Sequence, residues 1–219
     1  MFLNGELITE GFVGISLNGK LEIETVVSQG CRPIGRTFIV TKSHDNVIDQ
    51  LGGRPALAAL AEIMSNISEE DQQLLRNGLF IGRAISEYRD TWSRGDFLVR
   101  NLIGVDQEAG SISVTDYVRP GQTVQFHVRD AATAHEDLEL MLQSQSADSP
   151  AAGALLFSCN GRGTRLFAEP SHDIGVARAR MPRTPVAGFF AAGELGPVGG
   201  RNFVHGHTAS FALFRPLKV

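Results

Sequence analysis

Gly153-Ala154-Leu155-Leu156-Phe157-Ser158-Cys159-Asn160-Gly161-Arg162-Gly163 is followed by Pro185-Val186-Ala187-Gly188-Phe189-Phe190-Ala191-Ala192. The two apolar runs lie about 25 residues apart, the separation of a strand, a crossover and a second strand. Each run ends in a glycine-dense loop. The first delivers Cys159 and Arg162, and the second delivers Gly193-Glu194-Leu195-Gly196-Pro197 and then Asn202, His205 and His207. Glycines in such numbers permit positive φ and close approach of backbone to a bound group. The stretch from Gly153 to Thr208 therefore concentrates the chain's reactive side chains, and a helix is expected between its strands, from about Asp173 to Ala179.

Outward from this stretch the pattern is largely that of strands. Gly11 to Leu17, the turn signal Asn18-Gly19 and the alternating Leu21 to Val27 read as a hairpin. Further strands are expected at Thr37 to Thr41 and Asn46 to Leu51. Gly52-Gly53-Arg54-Pro55 then opens a helix that presents Leu57, Leu60, Ala61 and Met64 on one face. Ser68 and Asp71 make a capping-box-like start for a second helix. Leu79 to Ile85, Phe97 to Val105, Ile112 to Val114 and Thr123 to Val128 read as a meander, with a Pro-Gly turn at Arg119-Pro120-Gly121-Gln122. Asp130 is an N-cap candidate for a helix with Ala134, Leu138, Met141 and Leu142 on one face. A polar linker, 144–152, and a last strand from Ala209 to Phe214 complete the chain. Meanders with a few amphipathic helices define an α+β class, with mixed, largely antiparallel sheets.

Composition narrows the function. With 219 residues, 42% apolar and 20% charged, the chain can build a sizeable core. A net charge of −4 and a pI near 5.9 argue against nucleic acid as partner. Cys31 and Cys159 make neither a disulfide framework nor a zinc set. The N-terminus lacks the charged and apolar regions of a signal peptide, and no run reaches the ~20 apolar residues of a membrane span. A reducing cytoplasmic setting is expected, with no membrane partner. Gly161-Arg162-Gly163 begins like a dinucleotide fingerprint, but Leu166 stands where its third glycine belongs, so no nucleotide cofactor is expected, and no metal either.

Individual residues admit two readings each. Cys159 is either a nucleophile activated at a helix start or a small buried hydrophobe. Glu194 is ligand-facing or paired with Arg201 or Arg162. His205 and His207 alternate on what reads as one strand and so could face one side. Arg100 and Asn101 interrupt an apolar strand and Arg129 ends another, where arginine grips either a ligand carboxylate or an internal one such as Asp96 or Asp130.

Several segments together resemble the FIST family: Val27 to Gly35 with its Gly30-Cys31-Arg32-Pro33, Gly95 to Asn101, Phe126 to Asp130, Leu156 to Gly163, and Gly188 to Pro197. These are sensory modules of bacterial signalling proteins, also found in certain F-box proteins. The resemblance implies that residues 1–50 are the truncated end of an N-terminal part and 51–219 a C-terminal domain. It implies a small-molecule ligand, with an amino acid or related metabolite expected, and a downstream signalling partner of unknown identity. Homodimerisation through an unpaired strand edge is expected as well. The expected ligand-binding residues are Arg100, Asn101, Arg129, Cys159, Asn160, Gly161, Arg162, Glu194, Asn202 and His205. The rival reading is a cysteine-dependent amidase or acyl-transfer enzyme in which Cys159 attacks and His205 or His207 is the base.

Overall fold

A computed structural model describes residues 1–89, 91, 92, 95–143 and 150–217. The chain opens with two short exposed strands, β1 (Phe2–Leu3) and β2 (Glu6–Leu7), which pair only with each other. The expected strand over 11–17 is absent. Phe12 and Ile15 are 92% and 85% exposed, and the Asn18-Gly19 turn joins no hairpin. β3 (Leu21–Gln29) pairs instead with the C-terminal strand, from Leu21↔Pro216 to Gln29↔Thr208. A two-residue turn signal is local, and here nine long-range backbone pairings with Val26 and Ser28 buried beneath them override it.

Only Gly30 separates β3 from β4 (Cys31–His44), yet the two strands belong to different sheets. β4 is long enough to serve two neighbours: its first half pairs with β10 (Thr123–Arg129) and its second with β5 (Val47–Leu51). The short β6 (Arg54–Pro55) folds back antiparallel on the end of β5, and β7 (Leu79–Ala84), β8 (Phe97–Asp106) and β9 (Ser111–Val114) fill the remaining positions. The order β4-β10-β7-β8-β9-β5 returns to β4, with every pairing antiparallel, so the sheet closes into a six-stranded barrel. The expected meander is thereby corrected at its last step, because β10 lies beside β7 and β4 rather than β9. Closure pairs the edge that a meander would leave open.

Alternation along the strands fills the barrel with Phe38, Ile48, Ile81, Ile112, Val124 and Phe126. α1 (Ala56–Asn66) adds Ala56, Ala59, Leu60 and Ile63 to this core. α2 (Glu69–Leu74) begins as expected, with the Asp71 N–H donating to Ser68 Oγ at 3.1 Å. Asp71's own carboxylate turns away to Arg32 instead of closing a capping box.

The second body is a four-stranded sheet, β12-β11-β15-β3. β11 (Gly153–Cys159) and β12 (Val186–Ala191) run parallel, joined by α4 (His172–Arg180) as their spacing requires, and β15 (Thr208–Pro216) runs antiparallel to β11. α4 and α3 (Ala131–Gln143) cover one face, where Leu138, Leu142, Leu156, Val176, Phe211 and Leu213 form a second core. Met141, expected on the buried stripe of α3, is 38% exposed. Buried Asp137 fixes α3 to β3, accepting from Ser28 Oγ at 2.7 Å and from the Gln29 N–H at 2.8 Å. Most of the expected linker, 144–149, lies outside the described residues. On the other face lies a hairpin of β13 (Glu194–Val198) and β14 (Arg201–His205). It approaches so closely that a Cβ on Gly196 would stand 2.4 Å from Val27 Cγ2.

Candidate functional site

The expected site residues fall into two groups, one at the seam between barrel and sheet and one in an open cleft. At the seam, Cys31 and Arg129 face each other in register at the ends of β4 and β10. β11 brings Cys159 to the same place, followed by the turn Asn160 to Gly163. Arg129 Nη2 donates to the Gly161 carbonyl. Gly161 has to lack a side chain there, since a Cβ would lie 2.8 Å from His207 Nδ1 and 3.7 Å from Arg129 Nη2. Asn160 points to solvent and joins neither group.

Arg162 turns inward and is 1% exposed. Its Nε and Nη2 grip Asp173 at 2.8 Å each, in the fork geometry that suits a carboxylate. Asp173 also accepts from Ser158 Oγ at 2.6 Å, and His172 Nδ1 lies 3.0 Å away. Burial opposes ionisation of Asp173, but hydrogen bonds from His172, Arg162 and Ser158 outweigh it and hold the carboxyl well below its usual range. Arg162 thus has its counter-ion inside the protein.

Glu194 does not. It is 1% exposed, and its Oε2 accepts from Thr208 Oγ1 at 2.9 Å and from the Thr208 N–H at 3.4 Å. Burial raises its pKa against the opposing pull of Thr208, Cys159 and Arg162. Its Oε1, Arg129 Nε and His207 Nδ1 are all buried without a hydrogen-bond partner among the described residues. Burial, with Arg129 and Arg162 nearby, lowers His207 to about 4, so its ring is neutral. Burial likewise pushes the Cys31 thiol up to about 12 despite the same two arginines. Cys31 is therefore a protonated wall of the seam rather than a thiolate.

The second group lines a cleft of about 850 Å³ between β8 and the β13–β14 hairpin. Arg100, Asn101, Asn202 and His205 are there, with Asp116, Thr115 and Asp45. Arg100 Nε lies 3.0 Å from Asp116 Oδ2, and Nη1 donates to the Val204 carbonyl at 2.8 Å. The internal partner of Arg100 is therefore Asp116, neither Asp96 nor Asp130: Asp96 pairs with Arg89, and Asp130 caps α3 and pairs with Arg32. Burial opposes ionisation of Asp116, but Arg100 and Arg83 outweigh it and lower its pKa. His205 and His207 do not share a strand. His205 ends β14 with its Nε2 against the Gly196 carbonyl at 2.9 Å, whereas His207 sits in the following turn at φ +63° and rests edge-on against Phe80. Sequence spacing missed Asp173, Thr208 and Asp116, because each meets its partner only after the chain has crossed between elements.

A closed barrel sharing one strand crossing with an open, helix-covered sheet defines a two-part α+β protein. The sequence model of the FIST N domain matches residues 1–54 and that of the FIST C domain matches residues 56–197. The chain belongs to the FIST family, whose domains are sensory modules of signal transduction. It is 47% identical over 216 residues to Mb0898c, an uncharacterized protein of Mycobacterium bovis, covering 98% of this chain and 56% of that protein. An uncharacterized Mycobacterium tuberculosis protein, Rv0628c, is 46% identical over the same coverage. The chain thus spans 56% of the length of these relatives. No helix among the described residues is long and apolar enough to cross a membrane.

Proposed function

We propose that this chain is the small-ligand-binding part of an intracellular signal-transduction sensor and that its ligand is an amino acid or a closely related metabolite. The observation that carries this reading is the pair of opposite charges at the seam. Among the described residues, Arg129 keeps a buried N–H and Glu194 a buried oxygen without a partner. Buried polar atoms are nearly always paired in proteins, so two of opposite character at one junction fit a ligand that brings both a carboxylate and an ammonium. The ligand's carboxylate would take Arg129, and its ammonium would take Glu194. The polar cleft with Arg100, Asn101, Asn202 and His205 is the second place such a molecule could lodge. Placement in the cytoplasm, a downstream signalling partner and homodimerisation belong to the same reading.

Calorimetry with the amino acids, on the chain and on a relative of full length, tests it. At least one should bind with a Kd below 1 mM, and Glu194→Gln should weaken it about tenfold, a loss of ~1.4 kcal/mol. Arg100→Gln should leave a seam-bound ligand untouched and weaken a cleft-bound one. Absence of any amino acid binder tighter than millimolar would sink the proposal.

A further inference from the structure

A further cavity, which shares the Cys31 wall with the seam and Val99 with the cleft, opens where the flank of the barrel meets β3 and α3. It measures about 290 Å³, at the small end of ligand pockets, which run from about 300 Å³ upward. Its walls include Trp92, Phe97, Val99, Cys31 and His127. Phe97 neighbours both other rings, 5.3 Å from Trp92 and 5.4 Å edge-on from His127.

His127 supplies the chemistry. It is 3% exposed and lies over Gly82, where a Cβ would come within 2.4 Å of its Cε1. Its Nδ1 lies 3.0 Å from the Gln125 carbonyl, which can only accept, so Nδ1 carries the proton. Burial lowers the ring's pKa to about 4. At neutral pH the ring is therefore uncharged, and its Nε2, an acceptor, takes no hydrogen bond among the described residues. Among the other polar walls, Arg32 pairs with Asp71 and Asp130, Thr133 Oγ1 donates to Asp130, Gln29 Nε2 to the Phe97 carbonyl and Gln125 Nε2 to the Gly35 carbonyl. Cys31 stays a protonated thiol. The most buried polar wall is thus an uncharged acceptor, and Arg32, the charged side chain among the described lining residues, already has two carboxylates, so a carboxylate or an ammonium meets no free counter-charge here. The slot suits a flat apolar ring with a single donor.

We propose that this cavity is a second binding site, for small aromatic molecules that carry one hydrogen-bond donor, of which phenol is the simplest. The ring stacks among Trp92 and Phe97, and the hydroxyl donates to His127 Nε2. The site is independent of the amino-acid reading of the seam.

Trp92 is the only tryptophan of the chain, so its emission, excited beyond the absorption of phenol, reports occupancy directly. Phenol should change that emission saturably and bind at least tenfold tighter than anisole, which has the same ring and no donor. His127→Phe, with the aromatic wall kept, should bring phenol to the affinity of anisole. A phenol-to-anisole ratio under tenfold in the unmodified chain, or no saturable change with phenol, overturns the proposal whatever the variant does. Because neither probe is an amino acid, this outcome and that of the amino acid calorimetry are read separately.

Discussion

The barrel and the four-stranded sheet place their strand edges in opposite ways. In the barrel, β4 bends from β10 to β5 and every strand of the ring has two neighbours, so no edge of the ring remains. The sheet ends at β12, which has β11 on one side only, and there Phe189 and Phe190 are 64% and 55% exposed. Their interiors differ too. Packed apolar side chains hold the barrel, whereas the end of β11 is held by Arg162 and Asp173, a buried ion pair tied to Ser158 and His172. The barrel should therefore fail through cavities and the sheet through charge.

Removing charge should give the largest effect. Asp173→Ala strands the Arg162 guanidinium in the interior, and chemical denaturation should show a loss of about 5 kcal/mol. A loss no larger than that of a surface substitution would mean water reaches Arg162 and the contrast is false. In the barrel, Phe126→Ala removes a fully buried ring, and the same measurement should give about 4 kcal/mol.

Acid sharpens the comparison. His127 titrates at about 4 when folded and near 6.5 when free, so its contribution is complete above 6.5 and disappears as pH falls toward 4. The loss for this buried ring is on the order of 3 kcal/mol, and the stability profile of His127→Phe should lack that portion. Asp173 responds lower on the scale. Its folded pKa is depressed, so its contribution holds above the free-carboxylate range, near 3.9, and is lost below it.

The smallest expected effect lies at the open edge. Phe190→Lys should shift unfolding by less than about 0.5 kcal/mol, since the ring is half in solvent. It should also abolish concentration-dependent association in sedimentation, because a charged edge resists pairing. Association unchanged by the substitution would place any dimer elsewhere.

Much of this contrast was legible in the sequence. Alternation and turn residues located most strands, and the separation of the runs ending at Cys159 and Ala191 gave the parallel pair with its crossover helix. Barrel closure was not legible, because nothing local tells β10 to choose β7 and β4 over β9. The 11–17 segment failed for the same reason: the Asn18-Gly19 signal makes no hairpin, because β3 found its partner almost two hundred residues away. Of the residues singled out, Cys159, Gly161, Arg162 and Arg129 meet at the seam, and Glu194 lies beside Cys159 and Thr208. Their separation from Arg100, Asn202 and His205 depends on which face of the barrel each strand end meets, and spacing does not encode that. The pocket around His127 gave no signal beyond a histidine in an apolar strand, which is ordinary core composition.

Gly30 has a mechanical consequence. One residue carries the chain from sheet to barrel, and Arg162 Nη1 and the His207 carbonyl crowd it to within 3.1 and 3.2 Å of where a Cβ would be. At that crossing the two bodies are joined like arms on a pivot with only two torsions. Any torque between the arms acts through those two angles and through the second one-residue crossing, Asp130 between β10 and α3, with no slack chain at either to absorb it.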